Sequence, residues 1–258
     1  VSATLSRLAA LGATSFRQAL RDKVLYVLLG FSSLLVVGSL VISELTVGER
    51  GRIVMDLGLT ATSLLANFVA VFVTVGQVAR EIERRTIVVV ATKPVARWEI
   101  LVGRFVGMGA TLALMVAVMA SLHALVLLAV DGYRTTLWDA ALMSFTESLL
   151  VCAIALFLSS FATPLPSVFL TLGFVVIGHT SWGLLMLADS LESRAARAGL
   201  RALHAALPNL SLLNVRQTVT WGDPVGLDVV SLGMAYGLGY SMVLLILGAG
   251  LFSRRDLA

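Results

Sequence analysis

The chain has 258 residues, 58% of them hydrophobic and only 13% charged, with a mean hydropathy of +0.95. Soluble domains carry about 25% charged residues, so the composition excludes a soluble globular enzyme and a disordered tail and implies a polytopic membrane protein. The net charge of +4 is spread along the chain rather than gathered into a nucleic-acid footprint, and a single cysteine, Cys152, excludes an internal disulfide and a paired-cysteine metal site.

Residues 1–23 read as one amphipathic helix. Leu5, Leu8, Ala9, Gly12, Phe16 and Leu20 share a face, with Arg7, Arg17 and Arg21 opposite. Such a helix lies in the membrane plane with its arginines toward headgroups. It serves as an anchor and is compatible with contact to a cytoplasmic partner. The first span is expected over residues 24–42, which hold no charge. It is too long and starts too late for a cleaved signal, and no small-residue cleavage pattern follows it. The second, 57–79, contains the polar residues Asn67 and Gln77.

Residues 80–104 form a polar loop with mixed charges (Glu81, Glu83, Arg84, Arg85), a short apolar run beginning Ile87-Val88, then Pro94 and Arg97. An apolar strip bordered by both charge signs suits docking into a groove on another protein. The plainer reading is a solvated loop whose charges fix topology. The third span, 105–130, places Met108, Met115, Met119 and His123 on one helix face. Thioether and imidazole ligands suit Cu(I), but packing is the preferred reading of this stripe.

The fourth span, 140–161, is interrupted by Glu147. An ionised carboxylate near mid-bilayer costs roughly 2.5–3.5 kcal/mol. It therefore faces a translocation path, or makes a hydrogen bond between helices. The fifth span, 167–188, follows Pro164 and Pro166 and includes His179-Thr180-Ser181. The segment 189–228 is the longest between spans. Ser190–Leu207 reads as an amphipathic helix with Arg194, Arg197, Arg201 and His204 in a stripe, suited to anionic lipid or an acidic partner. The sixth span, 229–252, repeats small residues at Gly233, Gly237 and Ser241, a close-packing face within or between subunits.

Backbone groups in hydrocarbon must pair within the segment, so an all-α, six-span bundle is expected. Of the 19 Lys and Arg residues, twelve fall in the N-terminal segment, the 80–104 loop and the C-terminus, and seven on the other side. By the positive-inside rule both termini are cytoplasmic. A P-loop needs Lys followed by Ser or Thr. The two lysines, Lys23 and Lys93, precede Val24 and Pro94. No catalytic or metal-ligating constellation is visible, so no bound cofactor is expected on this chain.

The chain resembles the ABC-2 class of ABC-transporter permeases, with a type V exporter-like fold. More closely, it is similar to the branch that includes the permease of nitrous-oxide-reductase copper-site maturation systems. The resemblance rests on the amphipathic first helix and six spans. It also rests on the loop Arg80-Glu81-Ile82-Glu83-Arg84-Arg85-Thr86-Ile87 followed by Lys93-Pro94-Val95-Ala96-Arg97 and Gly103-Arg104. Leu207-Pro208-Asn209 before the last span and the closing Phe252-Ser253-Arg254-Arg255-Asp256-Leu257 add to it.

The resemblance implies that residues 80–97 are a coupling helix seated in a separate ATP-binding subunit. Glu81, Glu83, Arg84 and Arg85 would fix the register, while Ile87 and Val88 supply buried contact. Thr86, Pro94 and Arg97 complete the coupling motif. It implies two permease subunits, identical or homologous, and two ATPases that hold the ATP and Mg. The helix bearing Arg194, Arg197 and Arg201 would correspond to outer gating helices. The candidate pathway residues are Asn67, Gln77, His123, Glu147 and His179. The expected function is the membrane subunit of an exporter in a bacterial inner membrane, in contact with lipid. Two rivals are ATPase-driven mechanical transmission to a periplasmic partner and a proton-coupled carrier using Glu147.

Overall fold

The computed structural model describes residues 2–44, 49–83, 97–191 and 193–254. Among them the chain is helical, with no strand. α1 (Ser2–Leu20) precedes α2 (Lys23–Glu44) and α3 (Arg50–Glu83). Then come α4 (Arg97–Ala129), α5 (Thr136–Ser159), α6 (Pro164–His179), α7 (Ser181–Ser190) and α8 (Arg194–Ala206). A 3₁₀ turn (Leu210–Leu213), α9 (Arg216–Trp221) and α10 (Leu227–Arg254) complete the described chain. α2, α3, α4, α5 and α10 are long and apolar enough to cross a membrane.

α5 is the hub, packed on α3, α4, α6 and α10. It is mostly apolar on every side, with Glu147 the one acidic residue buried in it, and 17 of its 24 residues are buried, as a central helix requires. α2 and α10 are peripheral and expose Tyr26, Val27, Phe31, Leu34, Leu232, Met242 and Ile246, an apolar surface suited to lipid or a neighbouring subunit. The small residues of α10 face inward. Gly233 lies against Met143 and Gly237 against Thr146, so this close-packing face works within the subunit.

The amphipathic first helix stops at Leu20 and packs on α4. A Cβ at Gly107 would meet the Gly12 carbonyl oxygen and the Ser15 Cβ, and one at Gly103 would meet Leu11. The absence of side chains at 103 and 107 therefore lets the two backbones approach closely. Gln77 donates to the Ser15 carbonyl oxygen at 3.1 Å, and Arg80 pairs with Asp22 at 2.6 Å, which fastens α1 to α3 as well.

Two expected spans differ in extent. α3 begins at Arg50, well before the apolar run, because its charged first turns find partners. Arg50 pairs with Glu44 at 2.9 Å, Asp56 with Arg216 at 3.3 Å, and Arg52 stacks on the Trp221 ring. The fifth span, expected as one helix over 167–188, is instead α6 and α7, broken at Thr180. The 16 residues of α6 reach about 24 Å, short of a hydrocarbon core of about 30 Å. His179 Nδ1 lies 3.0 Å from the Val175 carbonyl oxygen and Thr180 Oγ1 donates to the Val176 carbonyl oxygen at 2.8 Å, so polar side chains compete for the backbone where the helix ends. The Pro208–Leu210 segment presses on the same point, where a Cβ at Gly178 would collide with it.

Candidate functional site

Near the middle of α5, Glu147 is buried with 2% of its surface exposed. It is the twelfth residue of that helix, about 16 Å from its start. Carboxylate Oε1 accepts from Asn67 Nδ2 of α3, and Ser63 Oγ of the same helix faces Oε2 at 3.4 Å. His179 at the end of α6 places Nε2 3.2 Å from Oε1. A carbonyl oxygen only accepts, so the Nδ1 that faces Val175 carries a hydrogen. The carboxylate thus ties α5 to α3 and α6.

A cavity of about 390 Å³ opens beside this cluster. Leu59, Phe68, Val71, Leu172, Val175 and Leu213 give it apolar walls, while Ser63, Asn67, Glu147 and His179 supply its polar face. At the far-end rim Arg216 donates to Thr60 Oγ1 at 2.6 Å and pairs with Asp56. Arg216 also borders a second cavity of about 610 Å³, lined by Glu49, Arg52, Asp56, Gln217 and Trp221. The size of the inner cavity and its few convergent polar groups on apolar walls are those of a small-molecule site.

Three of the five polar residues singled out in the spans, Asn67, Glu147 and His179, therefore meet at one cavity. The other two do not. Gln77 binds the Ser15 backbone, and His123 packs with Nε2 3.1 Å from the Val54 carbonyl oxygen. Met108, Met115 and Met119 are buried along the same face of α4 as His123.

Sequence reasoning missed Asp56, Thr60, Ser63 and Arg216. The first three were signalled: with Asn67 they recur at spacings of four, three and four on α3, one polar stripe on an apolar helix. Arg216 had no such signal, because it reaches the stripe from a connecting segment distant in sequence.

Of the docking-loop residues, Arg84, Arg85, Thr86, Ile87, Val88 and Pro94 lie outside the described residues. Glu81, Glu83 and Arg97 fall at the ends of α3 and α4, where the backbone alone is described. The basic helix expected over Ser190–Leu207 is α8, from Arg194 to Ala206. Its arginines share one face, and two of them also bind neighbouring groups. Arg197 donates to the Leu191 carbonyl oxygen at 2.7 Å and Arg201 pairs with Asp189 at 2.8 Å, both turning back toward α7, while Arg194 is exposed.

Residues 5–257 match the family model described as ABC-2 family transporter protein. No curated protein matches the sequence. The match covers nearly the whole chain and agrees with a bundle of long apolar helices, and the chain belongs to the ABC-2 transporter family.

Proposed function

We propose that this multi-pass permease is moved by a separate ATPase subunit that docks on residues 80–97. The observation that carries the reading is the family match over 5–257. It is joined by the lack of any Lys-Ser or Lys-Thr step with which the chain itself could form a P-loop. In this reading two permease copies, identical or homologous, pair with two ATPases. ATP-driven closure of the ATPases moves the 80–97 segments and reshapes the path for export. The termini lie on the ATPase side, in the cytoplasm of a bacterium with this chain in its inner membrane. The finer placement, beside the permeases of copper-site maturation systems, rests on the loop and the C-terminal residues quoted above.

Copurification from native membranes tests the coupling. A stoichiometric ATP-binding subunit is expected with the wild-type chain, and Arg84→Glu with Arg85→Glu should loosen it, because two of the four charges assigned to the docking register are reversed. Recovery of the wild-type chain with no nucleotide-binding partner contradicts the reading.

One observation favours a second reading, transmission of the ATPase stroke to a periplasmic partner. In the described part of the 189–228 segment, α8 is tied back to α7 by Arg201–Asp189, α9 is held on α3 by the Arg52–Trp221 contact, and Arg194 is exposed. Vesicles reconstituted with the ATPase separate the two. ATP-dependent solute movement favours transport, whereas turnover that requires a periplasmic protein favours transmission. A proton-coupled carrier without ATP would lose all function on Glu147→Gln, a change that only modulates the ATP-driven permease.

A further inference from the structure

We propose that the cavity between α3, α5 and α6 binds an amphiphile with a primary ammonium head, seated on Glu147 and Asn67, and an alkyl or aryl body along the apolar walls. The inference goes beyond the ATPase coupling and does not rest on it.

The first observation is a surplus of acceptors. Asn67, 5% exposed and lining the cavity, spends its amide nitrogen on Glu147 and leaves Oδ1 buried, with no hydrogen-bond partner among the described residues. A flipped amide would set oxygen against oxygen at Glu147, so the free atom is the acceptor. Glu147 Oε1 is engaged by Asn67 and His179, but Oε2 faces only Ser63 at the long distance of 3.4 Å. Two buried acceptors without adequate donors ask for a ligand rich in N–H groups. An ammonium supplies three, whereas a carboxylate or phosphate ligand would bring only further acceptors to the carboxylate and the amide oxygen. Arg216 at the rim does not oppose a cation strongly, since Asp56 pairs with it.

The second observation is the mouth. Leu64 and Val176 line the cavity and are 49% and 62% exposed, so it opens sideways between α3 and α6 through apolar residues. A molecule dissolved in the bilayer reaches it without crossing the far-end charges. The cavity volume accommodates a head and a short tail.

The ammonium could belong to a lipid headgroup or to a free amine, and one experiment distinguishes them. Binding of radiolabelled n-octylamine is measured on the full chain in phosphatidylcholine nanodiscs, with empty discs subtracted. Saturable binding is expected, displaced by unlabelled octylamine and not by n-octanol or octanoate. Glu147→Gln should weaken it about tenfold or more, as loss of a hydrogen bond to a charged group does. Leu172→Trp, which fills the cavity and leaves the carboxylate intact, should abolish it. The Leu172→Trp result decides the matter should Glu147→Gln fail to fold. Repeating the wild-type measurement in discs containing phosphatidylethanolamine identifies the source. A fall in occupancy assigns a lipid head, and unchanged occupancy assigns a free amine. Non-saturable binding, equal displacement by octanol, or undiminished binding in folded Leu172→Trp overturns the proposal.

Discussion

A Cβ at Gly58 would fall on the imidazole ring of His123, which is fully buried and fixed against the Val54 carbonyl. A packed ring cannot step aside as a flexible side-chain end can, so Gly58→Ala should destabilise the bundle by about 1–3 kcal/mol. Thermal unfolding in detergent checks this. In a His123→Ala background, where the ring is gone, the same glycine change should cost little, and the non-additivity of the cycle measures the contact. At this scale the sequence exposed the expensive groups. Glu147, Asn67 and His179 are legible as polar residues in apolar runs, because an intramembrane charge needs a partner. It could not tell which of them meet. Gln77 and His123 look the same in one dimension yet bind backbone elsewhere, and Arg216 joins the cluster only through tertiary placement.

At the scale of elements, α1 lies on α4 because Gly103 and Gly107 leave room for it. Gly107→Val should lift that helix, since the new side chain meets backbone at Gly12 and cannot be accommodated by a rotamer change. A cysteine placed at Ser15, 4% exposed in the native chain, should resist maleimide labelling alone and react readily beside Gly107→Val. The lengths of uninterrupted apolar sequence made the long helices legible. Their ends were not, because Arg50, Arg52 and Asp56 are admitted into α3 by charges and a ring supplied from other segments. The break at Thr180 was half legible. The run His179-Thr180-Ser181 stood out as polar, but the pressure of Pro208–Leu210 on Gly178 that accompanies it comes from a distant part of the chain. A leucine at Gly178 should push that segment away and loosen the Ser181–Asn209 hydrogen bond of 2.7 Å. Faster proteolysis after Arg216 than in the wild type would register the change.

For the whole molecule, the fold class followed from composition and span count, since a lipid-facing chain has few architectures open to it. Which helix is central was not read from the sequence: α5 proves to be the hub, while α2 leaves Tyr26, Val27 and Phe31 exposed among the described residues. In the proposed reading, what moves the bundle lies outside it. Its lysines cannot form a P-loop, and the family is one of transporter permeases. The direct measurement is ATP hydrolysis by the purified chain in liposomes, alone and after addition of the ATP-binding subunit recovered with it. No hydrolysis is expected from the chain alone, and ATP turnover is expected once the partner is restored. Nucleotide hydrolysis, or solute pumping, by liposomes holding this chain and no ATPase would contradict the proposed reading.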